Sequence, residues 1–151
     1  MIPGLRGEGA GGCMGGMSSA KPVLRVVCAL IERDGHVLMA RRPAHKHLGG
    51  KWEFPGGKVE PDEADTDALH RELREELGCV VEITRTLAPH THAYETVTVC
   101  LLPFVARLAA GSAEPQSLEH SALAWVAVGE LAALDLPAAD LPIIADYLAT
   151  R

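Results

Sequence analysis

The chain has 151 residues, a net charge of −6, 48% hydrophobic residues and only 4% aromatic ones. That length suits a single domain with an aliphatic core. The acidic balance argues against non-specific nucleic-acid binding, which needs clustered Lys and Arg to neutralise phosphates. No apolar run approaches the roughly 20 residues of a membrane span, and the first residues lack the basic-then-apolar order of a signal peptide.

Residues 1–20 are rich in Gly, Ser and Met with no periodicity, the composition of a flexible extension. Val23 to Ile31 is an apolar run rich in β-branched residues, as in a strand buried on both faces. Asp34-Gly35 is a hairpin signal, and His36 to Arg41 returns as a second strand that ends before Pro43. His45 and His47 fall in a Lys/Gly-rich loop, and a bare His-x-His in a loop is assigned no metal. Trp52 and Phe54 alternate with Lys51 and Glu53 as in a short strand, and Pro55-Gly56-Gly57 is a turn signal.

A helix follows and stops at Gly78. At about 100° per residue, Leu69, Leu73 and Leu77 form one stripe for the core. Glu72, Glu75 and Glu76 share a neighbouring sector. Like charges so placed repel, and an all-oxygen donor set suits a hard divalent cation such as Mg2+, with Mn2+ as an alternative.

The same residues read G-x5-E-x7-R-E-x-x-E-E-x-G, from Gly57 through Glu63, Arg71, Glu72, Glu75 and Glu76 to Gly78. This resembles the Nudix box of nucleoside diphosphate-linked-moiety hydrolases. Leu73 fits one aliphatic position of that pattern, and Cys79 stands where Ile, Leu or Val is usual, as a small hydrophobe can. Trp52-Glu53-Phe54-Pro55-Gly56-Gly57 is similar to the MutT-type branch, and the similarity runs from about Val23 to the C-terminus.

Beyond Gly78, Val80 to Leu87 and Thr96 to Leu108 read as strands. Pro89 to Glu95, holding His90, His92 and Tyr94, reads as a loop placed to close over a substrate. Ala109 to Ser117 is a turn region, Ala122 to Val128 a strand containing Trp125, and Gly129-Glu130 opens a short helix. Asp140 is the natural N-cap of a terminal helix from Leu141 to Ala149. Cys13, Cys28, Cys79 and Cys100 are scattered without a CxxC pair, which suits reduced thiols in a cytoplasm.

The resemblance implies an α/β fold, a single Nudix-type α/β/α sandwich with a mixed β-sheet spanning residues 21–151. It implies Mg-dependent hydrolysis of nucleoside triphosphates to monophosphate and pyrophosphate, with 8-oxo-dGTP first among substrates. CTP, dCTP or methylated pyrimidine triphosphates form the alternative. A catalytically silent nucleotide-binding module belongs to another class and would be expected to lack box carboxylates, of which none is missing here. A coenzyme or ADP-sugar hydrolase would need an added recognition segment, and none is evident after the box. Glu72, Glu75 and Glu76, the Gly56 carbonyl and Glu119 are the implied metal ligands. Glu72 is the first choice of base and Glu119 the second, with Arg71 orienting a box glutamate. Arg41, Phe54, Gly57, Lys58 and Asp140 are the implied substrate contacts: Phe54 as a flat face for a base, Lys58 for a phosphate, Asp140 for the base edge. The expected protein is cytoplasmic, a monomer or homodimer, with a small-molecule nucleotide as partner and neither nucleic acid nor membrane.

Overall fold

The long strands at residues 23–33 and 98–108 form the centre of the structure, a computed structural model that describes residues 21–151. The expected 1–20 extension lies outside the described residues. Strand β1 (Val23–Arg33) runs parallel to the strand over Thr98–Leu108, with Val23 opposite Thr98 and Ile31 opposite Ala106. Every other pairing is antiparallel, so the sheet is mixed. In chain order the remaining strands are β2 (His36–Arg41), β3 (Trp52–Glu53), β4 (Gly56–Lys58), β5 (Val81–Thr86) and β6 (His90–Ala93). The Thr98–Leu108 strand is β7 and Ala122–Ala127 is β8. The main path is β3-β2-β1-β7-β5, with β4 on β1, β6 on β7 and β8 on β2.

Side chains of β1 alternate between two cores, as the two-residue period of a strand requires. Leu24, Val26, Cys28 and Leu30 join one cluster with Phe54, Ile143, Ile144 and Tyr147. Val23, Val27, Ala29 and Ile31 join the other with Ala68, Leu69, Leu73 and Leu77. The first cluster lies under helix α2 (Leu141–Thr150) and the second under helix α1 (Asp65–Leu77). The chain is therefore the expected sandwich, helices on both faces of a doubly buried sheet. Helix α1 ends as its sequence predicts, with Gly78 left-handed at φ 66° and its N–H returned to the Arg74 carbonyl.

Two segments differ from expectation. The Gly56-Gly57 turn is a strand, β4, laid against β1 with Cys28 opposite Gly56. The expected Pro89–Glu95 loop contains β6, which pairs with β7 from His90 opposite Leu101 to Ala93 opposite Thr98. His90 and His92 carry no hydrophobic strand pattern, because β6 follows the edge of a strand already buried elsewhere. Cys28 and Cys79 are free, buried thiols. Among the described residues no helix is long and apolar enough to cross a membrane.

Leu73 is fully buried between α1 and the sheet. Leu73→Ala is expected to cost about 2–5 kcal/mol in urea unfolding. The exposed Leu148→Ala should stay within about 0.5 kcal/mol of wild type.

Candidate active site

Helix α1 presents its carboxylates to the strand that the two glycines build. A Cβ on Gly56 would lie 2.0 Å from the Val27 carbonyl oxygen, so only glycine lets β4 approach β1 this closely. A Cβ on Gly57 would lie 2.3 Å from Cδ of Glu72, because the Glu72 carboxylate occupies that space. Gly56 N–H donates to Oε1 of Glu76 at 3.2 Å. The two glycines thus form a floor on which two glutamates rest.

Those two carboxyls oppose each other. Glu76 is buried, and its carboxyl is pushed up to about 9, first by burial and then by the charges of Glu72 and Glu53. Glu72 is also raised, again first by burial, against the pull of Arg71. Arg71 orders the cluster: Nε and Nη2 donate to the two oxygens of Glu63 at 2.8 and 2.9 Å. Its Nη1 donates to Glu72 at 3.0 Å and lies 3.5 Å from Glu75. Its Nη2 also reaches the Lys58 carbonyl at 3.0 Å, which locks β4 to α1. The Arg71 bonds hold Glu63 below the usual carboxylate range. Lys58 itself is partly exposed beside this cluster.

Among the described residues no three His, Cys, Asp or Glu side chains already converge as a ligand cluster. Glu75 is half exposed beside Arg71. The donor chemistry nonetheless fits a hard cation: Glu72 and Glu76 offer carboxylate oxygens on the glycine floor, each raised by burial and by a neighbouring carboxylate's charge. Glu119 is exposed, on a loop whose backbone caps α1. In that loop Leu118 N–H donates to the Glu76 carbonyl at 3.2 Å and Gln116 N–H to that of Leu77 at 2.9 Å.

A second, drier pocket adjoins this cluster. It is lined by Arg42, Glu53, Tyr94 and Asp140 among aliphatic walls. Glu53 Oε2 accepts from His120 Nε2 at 2.9 Å, and Oε1 lies 3.3 Å from Arg42 Nη1. Burial pushes Glu53 up, but the His120 bond and the Arg42 charge outweigh it and hold the carboxyl below its usual value. Asp140 is 2% exposed, its Oδ2 has no hydrogen-bond partner, and its carboxyl is pushed up to about 7 by burial and then by Glu53.

Several sequence expectations meet this geometry differently. Asp140 makes no side-chain cap to α2 and instead turns into the pocket. Phe54 is fully buried in the core beneath α2 and is not among the residues that line the pocket. Arg41 is exposed, donating to the Gly50 carbonyl at 3.0 Å with its guanidinium 5.9 Å from the Trp52 ring centre. The next residue, Arg42, is the arginine that lines the pocket. Arg42, Glu53 and His120 were not singled out as site residues by sequence, and Tyr94 was named only as part of a loop placed to close over a substrate. The available signal was Glu53, a charge in a strand that alternation places opposite Phe54.

The family model described as a NUDIX domain matches residues 26–146. This chain belongs to the Nudix hydrolases. It is 40% identical over 129 residues to a protein of Escherichia coli K12 named CTP pyrophosphohydrolase, covering 85% of this chain and 94% of the relative. It is 29% identical over 123 residues to the 8-oxo-dGTP diphosphatase of the same organism, covering 81% and 94%. The crystal structure of the MutT protein of Methanosarcina mazei Go1 superposes with a TM-score of 0.74 at 28% identity, covering 89% of this chain and all (100%) of that one. Nudix hydrolases act on phosphoanhydride bonds of small nucleotide substrates and need a divalent metal ion.

Because Asp140 titrates higher in the fold than its ordinary 3.8, ionising it opposes folding. The penalty starts as pH rises past about 4 and is complete above about 7. Asp140→Asn should therefore stabilise the protein by on the order of 4 kcal/mol at pH 8 and by little at pH 4. Urea unfolding at the two pH values checks this, and a pH-independent difference would contradict it.

Proposed function

We propose that this chain is a magnesium-dependent (deoxy)nucleoside triphosphate pyrophosphohydrolase, releasing the monophosphate and pyrophosphate. The observation that carries the reading is that Glu53, which lines the pocket, stands three residues before the Gly56-Gly57 floor on which Glu72 and Glu76 rest. A carboxylate cluster suited to a cation on a polyphosphate thus adjoins a pocket whose polar groups suit a heterocycle.

Cleavage of a phosphoanhydride by water needs the phosphoryl charge neutralised, a nucleophile generated at neutral pH, and the two aligned. A divalent cation would be held by Glu72, Glu75, Glu76, the Gly56 carbonyl and Glu119, and when bound it neutralises phosphate charge and acidifies water. Glu72 is the first candidate for general base and Glu119 the second. Arg71 fixes Glu72 through Nη1 and, through Glu63, ties the β4–α1 loop to the helix. Lys58, on the strand beside Gly57, is placed to meet a phosphate oxygen. Arg42, gripped by Glu53 and by the His47 carbonyl at 2.7 Å, takes the nucleotide-contacting part assigned to Arg41 from sequence. The pairing of Arg42 with a buried carboxylate fixes a planar cation in one orientation, which a mobile surface arginine lacks.

The first substrate proposed is 8-oxo-dGTP, with nucleotide-pool sanitation in the cytoplasm as its purpose. CTP or dCTP is the second, favoured by the 40% identity to a relative named for CTP. Asp140 serves either one: neutral it donates a hydrogen bond, and ionised it accepts from an amino group.

A panel of 8-oxo-dGTP, dGTP, CTP, dCTP and ADP-ribose, followed by release of pyrophosphate against orthophosphate, tests the reading. Turnover of a triphosphate to pyrophosphate is expected, and orthophosphate as the first product would contradict it. Glu76→Gln should lower kcat by about a hundredfold or more with the fold retained, since an amide holds a dication poorly. Near-normal turnover by that variant would remove Glu76 from the metal site.

A further inference from the structure

The pocket beside the carboxylate cluster has a cavity of about 10 Å3. That is room for about one water, much less than any nucleobase. A wall must move before a planar ring can enter. Val99, Leu101, Glu53 and Asp140 are 1–3% exposed and belong to the sheet, to the ion-pair network or to the entry of α2. They are poor candidates for displacement, because a packed interior resists it. The remaining wall includes Tyr94, partly exposed just after the edge strand β6.

Tyr94 is built with a fixed backbone. Its N–H donates to the Val97 carbonyl at 2.8 Å, and its own carbonyl accepts from Lys21 Nζ at 2.8 Å. The ring meets two histidines edge-on: His92 at 4.7 Å and 62°, and His47 at 6.5 Å and 77°. Such contacts orient an aromatic ring without burying it. Tyr94 lines the pocket together with Asp140 and Arg42, and burial raises its phenol. The other aromatics of this region are committed elsewhere. Phe54 is core, and the Trp52 ring packs against the same cluster with the Arg41 guanidinium 5.9 Å from its centre.

Resting on the nucleotide reading above, we propose that Tyr94 is the aromatic wall of this pocket, swinging aside to admit the nucleobase and stacking on its face. The side chain is a binding and specificity residue: it acts on the base and leaves the polyphosphate to the carboxylate cluster. A flat ring opposite aliphatic walls, with Arg42, Glu53 and Asp140 at the far end, sorts ligands by planarity first and hydrogen bonding second.

The test separates base from polyphosphate. Calorimetric affinities, with magnesium present, are measured for a non-hydrolysable guanosine triphosphate analogue, its cytidine counterpart, and inorganic tripolyphosphate. Tyr94→Phe keeps the ring, whereas Tyr94→Leu and Tyr94→Met keep apolar bulk and lose it. The expected result is near wild-type affinity for the Phe variant and a loss of about tenfold for nucleotide in the Leu and Met variants. Tripolyphosphate should bind all four proteins alike. Nucleotide affinity unchanged in the Leu and Met variants would overturn the proposal, as would an equal loss for tripolyphosphate. A wild-type protein that binds tripolyphosphate but gains nothing from a base would also overturn it, leaving the polyphosphate chemistry intact. If neither ligand binds wild type, the hydrolase reading itself falls.

Discussion

Two glutamates packed against glycine backbone are the constraint on which this structure depends. Gly57 has no side chain because Glu72 fills its place, and Gly56 presents its N–H to Glu76 at 3.2 Å. Keeping both carboxyls charged in so dry a place is unfavourable. Raising one carboxyl from 4.5 to about 9 corresponds to several kcal/mol against ionisation, on the order of 1.4 per unit. An arrangement with that penalty is retained where a cation relieves it, since buried charges in proteins are paired or bind metals. The leucine stripe on the same helix offsets part of the cost by burying Leu69, Leu73 and Leu77 completely.

Around this floor, Arg71 and Glu53 organise opposite sides. Arg71 gathers Glu63, Glu72 and the Lys58 carbonyl into one network spanning the box from its strand to its helix. Glu53 is held by Arg42 and His120, so it joins the β2–β3 region to the loop before β8. That loop is itself seated on the last carbonyls of α1 through Gln116 and Leu118. Glu119 follows directly on that seat at the end of α1. The loop also closes on β1, where Arg33 makes a two-pronged pair with Glu114 and lies 4.1 Å over Trp125.

What the sequence revealed depended on periodicity and spacing. The leucine and glutamate sectors of α1, its stop at Gly78, and the doubly buried β1 were legible because each is a local pattern. The pocket was not, because its members come from β3, β7, the segments just after β2 and β6, and the entry to α2, and no single stretch displays them together. Arg41 and Arg42 illustrate the point. Adjacent arginines are equivalent as sequence, and only the chain's turn after β2 exposes one and buries the other against Glu53. Asp140 has the composition of an N-cap, but tertiary packing turned it inward. Phe54, just past β3, is fully buried in the cluster that also holds Val99, Leu101 and Ala139, so its ring is spent on packing.

On the function proposed here, Glu72 and Glu76 would tolerate each other by sharing a dication. Mn2+ binding followed by electron paramagnetic resonance, in wild type and in Glu72→Gln/Glu76→Gln, tests it most directly because it needs no substrate and no turnover. The account predicts Mn2+ binding to wild type, displaced by Mg2+, and a loss of at least about tenfold in affinity in the double variant. Equal binding by the two proteins would contradict it.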